Sequence, residues 1–436
     1  MSLSPDRLEE RFEEKAPAYT PGEAAAEAAR CLYCHDAPCI QSCPTSIDIP
    51  TFIRKIATQN LRGAARTILS ANLLGASCAR VCPVEVLCEG TCVYVPWGRR
   101  PVSIGRLQRY AMDHGASPDL LPKSSTRSGH SIGLVGAGPA SLACAGTLAR
   151  LGHEAVLYER DSQAGGLNTT GVAPYKMDAK TALEEVEFVR SLGVEIKTGV
   201  EVGSDVTAQE LMERHDCVFL GIGLGGDSPL DAEGATGSGV TGAVEWIRCM
   251  KLDPACSVEG VRSAAVIGGG NTSIDVVREL LGLGVPEVTL VYRRTEERMS
   301  GYRHEWEGAR KEGARLIENA LVGKVVRDDS GAVSTWELVR AEDGKPTGEA
   351  LAPLSVDLVV VATGQSKLRE LAESFEGVTC DARGRIQSGE DGQTANERVY
   401  CGGDAHNGGK EVVNAVDEGQ RAAYAIDRYL KERGNA

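Results

Sequence analysis

The sequence predicts an α/β protein in which an all-helical N-terminal domain precedes two units of alternating strand and helix, the second inserted in the first. Three observations predict it. Eight of the fourteen cysteines fall between Cys31 and Cys92, among apolar residues at helical spacing. Two later segments, beginning at Ser131 and Ser263, each read as strand, glycine turn, helix and strand. Two further strand signals near the C-terminus run into glycines and return the chain to the first unit.

Composition bounds the function. A chain of 436 residues holds two or three domains, and 42% hydrophobic residues with 51 glycines describe a folded α/β protein. A formal charge of -14 argues against nucleic acid and anionic membrane as partners. The acidic start MSLSPDRLEERFEEK has no apolar core for secretion or import. No run approaches the roughly 18 apolar residues of a membrane span. The cytoplasm is the expected location, and it suits reduced thiolates.

In chain order, Pro21 to Arg30 has Pro and Gly at its start and alanines throughout, which predicts a helix delivering Cys31. The first cysteine group is Cys31, Cys34, Cys39 and Cys43, spaced C-x2-C-x4-C-x3-C and followed by Pro44. Ile49 to Ser70 is apolar at helical spacing and reads as core. The second group is Cys78, Cys82, Cys88 and Cys92, spaced C-x3-C-x5-C-x3-C. A further helix is expected over 101–113, and the Ser-, Pro- and Gly-rich stretch 113–131 reads as the linker closing this domain.

Thiolates this crowded are held by metal, oxidised to disulfides or used in catalysis. Structural zinc prefers separated pairs, often with histidine, and His35 is the only histidine nearby. A disulfide framework belongs to short secreted chains. The C-x3-C-P ending points elsewhere: in two-cluster ferredoxins that cysteine ligates the other cluster. Two such groups predict a pair of neighbouring [4Fe-4S] clusters that exchange ligands.

From Ser131 to Arg160 a strand enters Gly136-Ala137-Gly138-Pro139-Ala140-Ser141, then an alanine-rich helix, then a second strand ending on Glu159. Gly136 makes the tight turn, Gly138 lets backbone approach a pyrophosphate, and the helix N-terminus at Pro139 and Ala140 supplies free N–H groups. Glu159 sits where a carboxylate receives ribose hydroxyls. Ser141 replaces the third glycine, which is expected to loosen helix–strand packing slightly. Gly166 and Leu167, downstream of the second strand, are further candidate cofactor positions.

Ser263 to Arg294 repeats the pattern with Gly268, Gly269 and Gly270 in the turn, Asn271 and Thr272 opening the helix, and Ser273 in the third position. Its second strand ends on Arg293 and Arg294 instead of an acid. An acid suits the free ribose of FAD or NAD, whereas arginines suit the 2′-phosphate of NADP. NADPH is therefore the expected coenzyme, with NADH the alternative. These are two Rossmann-like nucleotide-binding domains with different ligands.

VDLVVVATGQ (356–365) is a buried strand breaking into Gly364, and residues 394–404 form a strand ending in Gly402-Gly403-Asp404. In flavin disulfide-reductase-like folds such an aspartate binds the ribityl chain of FAD. The helix expected from Val412 would point its N-terminus at the isoalloxazine.

CLYCHDAPCIQSCP, CARVCP, LCEGTC, SIGRLQRY, GAGPAS, GGGNTSID and VYCGGD occur in this order over nearly the whole chain. The chain resembles the small, electron-input subunit of bacterial dihydropyrimidine dehydrogenases, the N-terminal half of the fused eukaryotic enzyme and, less closely, the glutamate synthase small subunit. The resemblance implies one FAD, an NAD(P)H site and two [4Fe-4S] clusters. It implies domains over 1–125 (clusters), 126–223 with 363–436 (FAD) and 224–362 (NAD(P)H). One cluster is implied on Cys31, Cys34, Cys39 and Cys92, the other on Cys43, Cys82, Cys88 and Gln108. Spacing alone would offer Cys78 rather than Gln108. The glutamate synthase branch is expected to carry glutamate there. The implied partner is an FMN-containing catalytic subunit or a ferredoxin. No catalytic acid or base, FMN barrel or CxxC of a thioredoxin reductase is expected; Cys249 and Cys256 are too far apart for that motif.

Overall fold

The computed structural model describes residues 3–434. The N-terminal domain is helical. Its first helix, Pro21–Ala28, is set by Thr20, whose side chain accepts the Glu23 N–H while the Glu23 carboxylate accepts that of Thr20. The apolar run from Ile49 forms two helices, Ile49–Ala57 and Leu61–Ala71, rather than one. The break is local: Gln59 takes a left-handed φ of 60°, and Asn60 caps the second helix by accepting the Gly63 N–H. Phe52, Ile53, Ile68 and Leu69 pack with Leu107 and Ala111 of the helix Ile104–Gly115. The same core continues into Leu142, Ala143 and Leu148 of the next domain, so the cysteine-bearing helices are fused to it.

The strands are β1 (Ser131–Val135), β2 (Glu154–Glu159), β3 (Glu195–Thr198) and β4 (Cys217–Leu220), then β5 (Val240–Gly242), β6 (Ser263–Ile267), β7 (Glu287–Val291) and β8 (Arg315–Ile317). After them come β9 (Ala320–Arg327), β10 (Val333–Glu342), β11 (Lys345–Ala350), β12 (Leu354–Ser355), β13 (Leu358–Val361) and β14 (Val399–Cys401). One parallel sheet has the order β14-β4-β1-β2-β3, and the second has the order β5-β13-β6-β7-β8. All of the second sheet lies in sequence between β4 and β14, which pair with one another. That is the insertion the sequence predicts. The central strands are buried along nearly their whole length, as parallel strands covered on both faces must be.

Strands β9 to β12 form a third, antiparallel sheet that sequence reading missed. Its β11 is exposed at every residue, so it has no apolar pattern to detect. The Ser141 substitution is absorbed by its neighbour: a Cβ on Gly221 would lie 2.0 Å from Ser141 Oγ, so the close approach survives with the glycine on the facing strand's end.

Residues 3–20 touch all three domains. Leu8 and Phe12 pack into the core of the second parallel sheet. The Glu9 carboxylate accepts the Ala179 N–H at 2.8 Å and pairs with fully buried Lys251 at 3.4 Å. Lys251 Nζ also donates to the carbonyls of Val172 and Met177. Glu14 pairs with Arg80 and Arg109 of the helical domain. Cys249 and Cys256, at the end of the helix Ala243–Leu252, are joined as a disulfide.

Candidate functional site

Segments from all three domains meet in one cleft of about 1400 Å3. Its floor is the turn after β1. Gly136 takes φ 83°, and a Cβ there would lie 2.7 Å from the Gly221 carbonyl oxygen. Gly138 is the N-cap of the helix Pro139–Leu151, whose N-terminal N–H groups and dipole favour an anion. A Cβ on Gly166, at φ 56°, would lie 2.8 Å from Gly138 Cα, so these two backbones touch across the cleft edge. Gly136, Gly138, Pro139, Ala140, Glu159, Gly166, Leu167, Gly403 and Asp404 all line this cleft.

Glu159 closes β2. Its Oε2 accepts the Ala137 N–H at 2.7 Å and its Oε1 that of Asp161 at 2.9 Å, which braces the glycine turn. Burial raises its carboxyl above the usual range, and each oxygen keeps a lone pair for a ribose hydroxyl. Burial likewise raises the Asp404 carboxyl. The helix Val412–Gly434 starts at this cleft, with Glu411, Val412 and Ala415 lining it. A cradle of touching glycines, a helix N-terminus, the buried Glu159 carboxylate and the half-buried Asp404 carboxylate fit a dinucleotide carrying a pyrophosphate and free hydroxyls.

The second unit contributes Asn271 to the cleft, but not Gly268, Gly270, Thr272, Arg293, Arg294 or Gly364. Gly270 caps the helix Asn271–Gly282, and the Tyr292 ring covers Gly269. Arg293 is exposed and Arg294 half-buried beyond the end of β7, both against the Gly344 turn. Gly364 follows β13 at φ 115°, and its carbonyl accepts the Ser228 N–H.

Sequence reading missed the side chains that join the domains at this cleft. Tyr302 Oη donates to Glu411 at 2.7 Å, His304 lies 3.7 Å from Glu85, and Arg248 pairs with Asp161 at 2.7 Å. Each is a single residue outside any motif, so nothing local marks it.

The cysteines fall into two sets that exchange members. Cys31, Cys34, Cys39 and Cys92 line a second cavity of about 30 Å3, with Ile49, Ile53 and Ile104 around them. Burial, with Cys31 and Cys92 alongside, pushes the Cys39 thiol up to about 12. The Cys82 thiol is raised well above its usual range by its Cys78 neighbour first, then by burial and by Cys88 and Cys43 nearby. A bound metal reverses this by favouring thiolate. Among the described residues, no His, Cys, Asp or Glu group of three is arranged to hold a single ion. Gln108 is buried, and its Nε2 donates to the Gly75 carbonyl at 2.8 Å, at the start of the helix Gly75–Val81 that leads to Cys82. Cys82, Pro83 and Val84 also line the large cleft, so the second set adjoins it.

Residues 8–119 match the dihydropyrimidine dehydrogenase domain II, 4Fe-4S cluster family, and residues 130–419 match the pyridine nucleotide-disulphide oxidoreductase family. The chain is 33% identical to the glutamate synthase [NADPH] small chain of Escherichia coli (strain K12), over 95% of this chain and 93% of that one. It is 35% identical to the NAD-dependent dihydropyrimidine dehydrogenase subunit PreT of Salmonella typhimurium, over 97% and 98%. Among solved structures, Mycobacterium tuberculosis FprA in complex with NADPH shares the fold with a TM-score of 0.58 at 18% identity, covering 70% of this chain and 86% of that one. No helix among the described residues is long and apolar enough to cross a membrane. The chain therefore belongs to the pyridine nucleotide-disulphide oxidoreductases, in the group that carries an N-terminal dihydropyrimidine dehydrogenase-type iron–sulfur domain.

Proposed function

We propose that this protein is the electron-input subunit of a cytoplasmic dihydropyrimidine dehydrogenase, taking hydride from NAD(P)H and delivering single electrons to a catalytic, FMN-containing partner. The observation that carries the reading is the cleft itself. The loop bearing Cys82 forms one wall, and the glycine turn with Glu159 and Asp404 forms another. Bound there, FAD supplies the change from two-electron to one-electron chemistry that neither a nicotinamide nor a cluster supplies alone.

The chain's own residues bind and position. The N-terminus of Pro139–Leu151 holds the pyrophosphate, Glu159 accepts ribose hydroxyls, and Asp404 accepts from the ribityl chain. Tyr302–Glu411 and His304–Glu85 hold the nucleotide unit of 224–362 against the other two domains. Cys31, Cys34, Cys39 and Cys92 hold one [4Fe-4S] cluster, and Cys43, Cys82 and Cys88 hold the other with Gln108. No side chain acts as acid or base.

Relatives named for dihydropyrimidine and for glutamate are matched at nearly equal identity, so identity does not choose between them. Gln108 favours the first. The Cys78–Cys82 contact supports a second reading of the ligand set, with Cys78 as the fourth ligand. The test is turnover of anaerobically purified chain. It should oxidise NAD(P)H with ferricyanide yet fail to reduce uracil, thymine or 2-oxoglutarate plus glutamine until the partner is added. Turnover of any of these by the chain alone overturns the assignment, and glutamine-dependent activity with a co-purified large subunit moves it to the glutamate synthase branch.

A further inference from the structure

Six large apolar side chains are exposed among the described residues, and four flank the cysteines of the first set. Leu32 (49% exposed) and Tyr33 (40%) form the tip of the Cys31–Cys34 loop. Val95 (41%) and Trp97 (60%) follow Cys92. They form one surface. Leu32 and Tyr94 line the same small cavity over these cysteines, and Trp97 packs edge-on against Tyr94 with ring centres 5.9 Å apart. Tyr33 reaches its position with φ 51°, a left-handed conformation that a bulky aromatic residue rarely adopts. Among the described residues, none covers these rings.

The edge of this surface is basic. Arg54, Arg99 and Arg100 are exposed beside it, with Asp36 the exposed acid of the Cys31–Cys34–Cys39 stretch. Residues 1–125 carry fourteen Lys and Arg against thirteen Asp and Glu in a chain of net charge -14, so the positive charge here is local to Arg54 and Arg99, with Arg100 paired to Glu27 at 2.7 Å. A cationic rim around an apolar centre on an otherwise acidic protein selects an acidic partner and steers it to this face. Cys82 of the second set lines the large cleft, whereas the first set lines the separate cavity that Leu32 and Tyr94 border.

We infer that Leu32, Tyr33, Val95 and Trp97, rimmed by Arg54 and Arg99, form the docking face for an acidic redox protein that takes electrons from the first cysteine set. The inference rests on the electron-input reading above. Each encounter moves one electron: a centre on Cys31, Cys34, Cys39 and Cys92 is oxidised and the partner's centre is reduced, with no bond made or broken.

The test compares holoprotein with Trp97→Ser, Val95→Glu and Arg99→Glu. Acceptors are ferricyanide, an acidic two-cluster ferredoxin and basic cytochrome c, and ferredoxin binding is measured separately by calorimetry. Each variant should keep its ferricyanide rate and its cluster EPR signals. Each should bind ferredoxin at least 10-fold more weakly, and Arg99→Glu should lose most of the salt dependence. Unchanged ferredoxin binding in all three variants overturns the docking face while leaving the electron-input reading intact. A parent protein without NAD(P)H–ferricyanide activity overturns that reading instead. Cytochrome c preferred over ferredoxin at low salt overturns the acidic partner. A parent dimer that Trp97→Ser dissociates assigns the face to a second copy and also overturns it.

Discussion

Glu185, on the helix Ala179–Ser191 of the first nucleotide domain, caps the cysteine-domain helix Gly75–Val81 through Ser77. Its Oε1 accepts the N–H groups of Ser77 at 3.1 Å and Ala76 at 2.7 Å, and its Oε2 accepts the Ser77 hydroxyl. The orphan donors of the helix leading to Cys82 are thus satisfied from another domain. This contact fixes the second cysteine set against the cleft.

That cap titrates. Burial raises the Glu185 carboxyl to about 7, although the hydrogen bonds from Ser77 and Ala76 oppose the shift. With the folded value above the unfolded one, the native state holds the extra proton between about pH 4.5 and 7. Stability therefore falls as pH rises through that window and is flat above it, by roughly 3 kcal/mol at most. Glu185→Gln should flatten this group's share of the loss in thermal midpoints measured from pH 5 to 8. Glu89, also raised to about 7 by burial, keeps its own share. An unchanged slope in Glu185→Gln refutes the assignment.

Metal content tests the exchanged ligands. Anaerobic protein should contain about eight iron and eight acid-labile sulfur per chain, as two [4Fe-4S] clusters require. Cys43→Ser should damage the cluster shared with Cys82 and Cys88, not the one on its sequence neighbours. Gln108→Leu should alter the EPR signal of that same cluster while Cys78→Ser leaves it unchanged. The reverse result makes Cys78 the ligand.

Coenzyme choice is proposed to rest on Arg293 and Arg294. A forked, charge-assisted bond to a 2′-phosphate is worth roughly 1.5–3 kcal/mol. Replacing either arginine by alanine should weaken NADPH binding about 10- to 100-fold and NADH binding little. Equal losses for both coenzymes, or a parent enzyme that prefers NADH, show that the pair is no phosphate clamp.

Gly166→Ala tests the cradle. The new Cβ would sit 2.8 Å from Gly138 Cα in a left-handed conformation, so turn and loop must part. Flavin content should drop at least several-fold, while iron content, set by the helical domain, should stay the same. Full flavin occupancy would place the cofactor away from this turn.

The parallel nucleotide units were legible because their signals are local. Gly136, Gly138 and Glu159, or Gly268 and Gly270, sit at spacings that one strand–turn–helix imposes by itself. The third sheet was not legible, since exposed β11 carries no period to read. Neither was the division of Ile49–Ser70, where the apolar pattern continues across the turn at Gln59 and Asn60.

The sequence by itself determined the cysteine spacing, the two glycine turns, the acid after one second strand and the arginines after the other. Each is a relation among residues within about thirty positions of one another, held by backbone geometry alone. Only the tertiary structure decided which cysteines stand together, that Cys82 shares a cleft with Glu159 and Asp404, and that Tyr302, His304 and Glu185 join the domains around it. Those relations span up to about 320 positions, and they come from burying shared apolar surface between domains, which no local pattern records.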